Sequence, residues 1–131
     1  MTRTASFVLL VTCAFALDAC VVEPDRGPPA GTLVVDWTLN DSKDPGQCAA
    51  SGAQDLDVIV RNGGVLIGDF VTSCEDFSES IRLGSGTYDV DAVLLDSAGN
   101  DRTTAVPIGP VQIFGGDQLV VPVNFPSDSF L

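Results

Sequence analysis

The chain has 131 residues and an apolar fraction of 45%, so it is long enough for a single core and too apolar to stay disordered. Six basic residues oppose eighteen acidic ones, a formal charge of −12, and the cations stand one by one along the chain, which excludes the clustered Lys and Arg that nucleic-acid binding needs. The chain contains no histidine, which removes the commonest general base and metal ligand together with Ser-His-Asp and Cys-His arrangements.

Arg3 precedes an apolar run over residues 5–17, about 13 residues long, against the roughly 20 that a helix needs to cross a bilayer. The run therefore has the length of a secretory signal's apolar region. It ends in "LDAC", residues 17–20, which resembles the lipobox of bacterial lipoproteins: Leu17, Ala19 and Cys20 match, and Asp18 departs from the usual small or apolar residue. The resemblance implies cleavage before Cys20, lipid on the Cys20 thiol and attachment to a membrane through that anchor. Val21, rather than Asp, directly after Cys20 implies the outer membrane as the address, with a secreted or periplasmic protein as the alternative. Cys13 lies within the part removed.

"VVEPDRGPPA", residues 21–30, mixes prolines with charges and reads as an extended, semi-rigid spacer of roughly 30 Å. The expected organisation is a signal peptide over residues 1–19, a lipidated cysteine and tether over 20–30, and one folded body over 31–131.

The body alternates with period two. In residues 31–39, Leu33, Val35, Trp37 and Leu39 share a face; in residues 55–61, Leu56, Val58 and Val60 do so, with Asp55, Asp57 and Ile59 outward. Asn62-Gly63-Gly64 signals a hairpin, with residues 65–71 returning. Phe77, Ile81 and Leu83 form the next stripe, and Gly84-Ser85-Gly86 turns the chain. Tyr88, Val90, Ala92 and Leu94 follow inward, with Asp89 and Asp91 facing water. "DSAGN" is a turn, and "DRTTAVPI", "VQIF" and "DQLVVPVNF" complete the series. In the last, Leu119, Val121, Val123 and Phe125 share a face, and Pro122 marks an edge strand because it has no amide to donate. No part of the body shows sustained helical periodicity. The expected fold is an all-β antiparallel sandwich of seven or eight strands.

Cys48 and Cys74 are the body's cysteines. An exported pair in an oxidising compartment closes, here across two turn-rich connections at one end of the sandwich. With two thiols and no histidine, a tetrahedral zinc site lacks ligands.

Chemistry-bearing patterns are sparse. Lys43, the one lysine, lies in a polar loop beside Asp41 and Asp44. "DSAGND", residues 96–101, begins like a calcium loop, but its twelfth position is Pro107, so a β-turn is the expected reading, as it is for "NDSKDPG", residues 40–46. Trp37 and Tyr88 could stack on a sugar if exposed, yet both fall on the apolar phase of their strands. No nucleotide fingerprint and no nucleophile elbow is present. The expectation is a protein that is not an enzyme and carries no cofactor or metal.

Residues 83–100, "LGSGTYDVDAVLLDSAGN", resemble the G-x-Y-x-V segment of transthyretin-like and carboxypeptidase-regulatory-like domains, through Gly86, Tyr88 and Val90. The resemblance implies a non-catalytic sandwich module of an exported protein. The whole chain is similar in style to small lipoproteins of Gram-negative bacteria such as myxobacteria, a similarity that implies no particular activity. Together these readings anticipate a lipid-anchored envelope module that presents loops or an edge strand to an envelope protein or a polysaccharide, with a calcium-dependent or carbohydrate-binding module as the alternative.

The anchor is checked directly. Cys20→Ser should leave the body folded while abolishing incorporation of labelled palmitate and membrane attachment; a Ser variant that still fractionates with membranes refutes the lipobox reading.

Overall fold

The computed structural model describes residues 29–131, so Cys20 and most of the tether lie outside the described residues. The first strand, β1 (Ala30–Leu39), buries alternate residues without a break: Leu33, Val35, Trp37 and Leu39 are enclosed, while Val34, Asp36 and Thr38 lie on the other side. β2 (Asp55–Asn62) repeats the pattern with Leu56, Val58 and Val60. The two-glycine turn leads into β3 (Val65–Ser73), then β4 (Ser78–Gly84), β5 (Gly86–Leu95), β6 (Val106–Ile113) and β7 (Gln118–Phe125).

Among the described residues seven strands form two sheets, in the orders β4-β1-β7 and β3-β2-β5-β6. All ladders are antiparallel except β1 with β7, which runs parallel from Thr32↔Gln118 to Leu39↔Phe125. The fold is thus the expected all-β sandwich. Its core lies between the inner faces, with Trp37, Phe125, Leu33, Leu39 and Leu56 the largest enclosed side chains. Tyr88, Val90, Ala92 and Leu94 of β5 are buried as their alternation predicts. Val93, on the opposite phase, is also enclosed. β7 stands at a sheet edge, where Pro122 has no ladder bond to lose.

Two expectations need correction. The segment read as "DRTTAVPI" plus "VQIF" is one strand that starts later, at Val106. Residues 101–105 are irregular, with single bridges Leu95↔Asp101 and Thr103↔Phe130. The buried Thr103 hydroxyl there accepts the Leu94 amide at 3.0 Å. The body also contains a helix, α1 (Pro45–Ser51), where a loop was expected. Asp44 caps it, its Oδ1 accepting the Gly46 amide at 3.0 Å; Pro45 takes the first turn; and Gly52, at φ 78°, closes it in the left-handed region. Arg102 donates from Nε to the Ser51 carbonyl at 2.7 Å, placing a cation at the helix C-terminus.

α1 and a single-turn 3-10 helix (Cys74–Asp76) occupy two of the connections between the sheets. The Cys48–Cys74 disulfide joins them, as the sequence anticipates, with both cysteines buried. Trp37 consolidates the same corner. Its indole Nε1 donates to the Cys74 carbonyl at 2.9 Å and its amide donates to the Phe77 carbonyl at 3.1 Å. Its ring lies 6.3 Å from that of Phe77, tilted by 41°. At the opposite pole the β4–β5 crossing is held by the Tyr88 hydroxyl, which donates back to the Gly84 carbonyl at 2.7 Å, in the manner of a tyrosine corner.

The disulfide closes a separation of 26 residues, for which the chain-entropy relation gives about 3–4 kcal/mol. Replacing Cys48 and Cys74 together by alanine should lower the unfolding free energy by about that amount, read as a fall in the denaturation midpoint; an unchanged midpoint means that the bond adds no stability.

Candidate functional site

Among the described residues, those singled out by the sequence do not converge on one site. Cys20 lies outside the described residues. Cys48 and Cys74 are consumed in the buried disulfide. Trp37 and Tyr88 belong to the core, so neither ring offers a face for sugar stacking. In residues 96–101 the Asp96 carboxylate accepts the amides of Ala98 and Asn100, both at 2.9 Å, and Gly99 takes φ 83°, which is a side-chain-stabilised turn. In residues 40–46, Asp44 is the helix cap, while Asn40 and Asp41 adopt left-handed φ values of 51° and 62°. Among the described residues no group of three or more His, Cys, Asp or Glu side chains is placed to hold a metal ion.

Lys43 lines an open depression of about 500 Å³ with Asp36, Asp41, Pro122 and Asn124. The Asn124 carboxamide oxygen there already accepts the Thr38 hydroxyl at 2.8 Å and the Asp41 amide at 2.9 Å.

The feature without an internal explanation is β3. Among the described residues each sheet ends in two edge strands, β4 and β7 in one and β3 and β6 in the other, each with one side left unpaired by another strand. An open edge invites pairing with another chain, and folded proteins blunt it with proline, bulges, charge or shortness. β6 carries Pro107, Pro110 and a register shift opposite Val90/Asp91, with Gly109 at φ 90°. β7 carries Pro122. β4 is the shortest strand, at 7 residues, and bears Glu79 and Arg82. β3 runs for 9 residues, contains no proline, and exposes Val65, Leu66, Ile67 and Val71 at 48–65%. Asp69 is its one charge, and its register shift sits at the turn end, beside Val60/Arg61. Phe70, half-buried, packs on the margin of the core.

The outer face of this sheet is acidic. The register sets Asp69 and Asp91 on either side of Ile59, and Val71 and Val93 on either side of Asp57. Arg61 pairs with Asp91 at 3.4 Å, both partly exposed, a contact of little energetic weight. Asp57 is the unusual member. One carboxylate oxygen is buried without a hydrogen-bond partner. Burial pushes its carboxyl from 3.8 to about 6, with the Asp69 carboxylate beside it and Asp101 adding to the shift. Period-two reading placed Asp57 outward but could not place Asp69 next to it, since that pairing depends on the β2–β3 register.

No family model matches the chain, and no curated protein matches it.

The raised Asp57 carboxyl fixes a direction in pH. The folded chain keeps a proton that the unfolded chain releases near 3.8, so stability falls as pH rises from about 4 to about 6 and levels above that. Asp57→Asn should therefore be more stable than wild type above pH 6, by about 1 kcal/mol given the side chain's partial exposure. The gap should close below pH 4. Urea denaturation at the two pH values checks this; a constant difference contradicts it.

Proposed function

We propose that the chain is a non-catalytic binding module of the cell envelope, lipid-anchored at the outer membrane through Cys20, that docks a partner protein along β3. The observation that carries the reading is the contrast among the four edges: three are blunted and the fourth is long, proline-free and apolar. Strand addition to an exposed edge is a general mode of peptide recognition, in which backbone hydrogen bonds give affinity and side chains give selectivity.

Two features support the placement. Ala30, where the tether joins β1, pairs with Gly84, and Asn62 pairs with Val65 across the hairpin turn at the same end of the sandwich. β3 thus starts at the tether pole and runs away from it, open along its length to a partner beside the anchor. The resemblance of residues 83–100 to transthyretin-like modules is supported by the way β5 is built: Gly86 opens the strand, Tyr88 bonds back to Gly84, and Tyr88 and Val90 are buried.

The test is site-directed photo-crosslinking in intact envelopes. A crosslinking residue in place of Val71 on β3 should give discrete protein adducts, whereas one in place of the exposed Ser80 on β4 should give none. Equal labelling from both positions, or none from Val71, rejects β3 as the docking edge.

A further inference from the structure

The outer face of the β3-β2-β5-β6 sheet carries Asp55 and Asp57 on β2, Asp69 on β3, and Asp89 and Asp91 on β5, and its one cation in those strands, Arg61, is already paired with Asp91. Asp101 stands at the end of this face, bridged to Leu95, and its charge reaches Asp57. β3 borders that field and supplies only Asp69 to its own rim.

A strand added beside β3 lies about 4.8 Å away and alternates its side chains between two very different surroundings. On the outer side, its residues come opposite Asp69 and Val71, with the Asp57 carboxylate one strand further in; directly opposed residues approach to about 5 Å between Cβ atoms, where unlike charges attract and like charges repel. On the inner side, they meet Gly68 and the half-buried Phe70 ring, which lies over the glycine so closely that a Cβ there would come within 2.9 Å of it. That side favours apolar residues.

We infer that the segment docking on β3 is an extended strand of a partner protein that alternates lysine or arginine with apolar residues, its cations lying on the acidic outer face and its apolar side chains covering Phe70. This rests on β3 being the docking edge and deepens that reading by naming the partner's chemistry. A second copy of this chain is the poorer occupant. Its own β3 would bring another Asp69 to the junction, and each copy carries a formal charge of −12. A cationic strand instead places positive charge beside Asp69, with the Asp57 carboxylate next in.

The experiment measures binding of synthetic peptides, matched in length to β3, to the full mature chain in detergent by fluorescence anisotropy. A peptide alternating lysine with valine should bind at least about tenfold more tightly than one alternating glutamate with valine at low salt, with the margin shrinking as salt is raised. Asp69→Lys, at an exposed position, should weaken the lysine–valine peptide by about tenfold and favour the glutamate–valine one. The lysine–valine peptide methylated at every backbone nitrogen keeps its charge but has no backbone donors, and should not bind. Equal binding of the two charge types, or indifference to Asp69→Lys, overturns the cationic partner and leaves the edge reading standing. Undiminished binding of the methylated peptide, or no binding of any peptide, overturns the edge reading itself. A chain that is dimeric without peptide and becomes monomeric on Ile67→Lys identifies a second copy as the occupant and likewise overturns the inference.

Discussion

The indole of Trp37 is where the two sheets are tied together. It sits in the middle sheet strand β1, fully enclosed, and reaches across to the connection between β3 and β4. Its ring nitrogen holds the Cys74 carbonyl, its amide holds the Phe77 carbonyl, and its ring packs on that of Phe77. Phe77 needs that support. It adopts φ 57°, a left-handed conformation that a bulky residue enters only at a cost of order 1–3 kcal/mol. The turn in turn positions Cys74 for the bond to Cys48, which anchors α1 and with it the crossing from β1 to β2. One aromatic residue therefore sets the geometry of both crossings at this pole, and the disulfide makes that geometry costly to leave.

With that pole fixed, the remaining architecture follows from register. β1 pairs with β4 on one side and β7 on the other, so the sheet that contains Trp37 is closed by short or proline-bearing edges. The second sheet has β2 and β5 at its centre and leaves β3 and β6 outside. The Tyr88–Gly84 bond plays the complementary part at the pole where β1 begins and β4 hands the chain to β5. Close packing there leaves little latitude. A Cβ on Gly31 would approach the Phe114 carbonyl oxygen to 2.4 Å, so the first residues of β1 and the β6–β7 turn fit only because that position has no side chain.

Much of the fold was legible because its information is local. Period-two alternation names a buried face without knowledge of the partner strand, and it named Leu33 to Leu39, Leu56 to Val60 and Tyr88 to Leu94 correctly. α1 escaped because 7 residues are too few to display a helical period, although Asp44, Pro45 and Gly52 were all in place as cap, first turn and stop. The parallel β1–β7 pair, the edge position of β3 and the Asp57–Asp69 contact are non-local. Each is a property of which strands become neighbours, and no spacing within a single strand encodes it. The candidate site was for that reason the least legible part. Residues 65–71 read as an ordinary returning strand, and their exposed apolar residues gain meaning only once β3 is found, among the described residues, with no neighbouring strand on one side.

An open apolar edge and a strongly negative surface pull in opposite directions, and the balance between them bears on how β3 is used. The edge alone invites indiscriminate strand pairing, including pairing between copies. Net charge of one sign opposes approach of like molecules and keeps them dispersed. Because the acids are concentrated on the face that β3 borders, repulsion is strongest where a second copy or another acidic chain would dock. The same placement turns repulsion into attraction for a cationic strand. A proline or lysine in β3 would have blunted the edge against every partner; carboxylates beside an open edge would instead discriminate partners by charge while leaving the backbone free to pair.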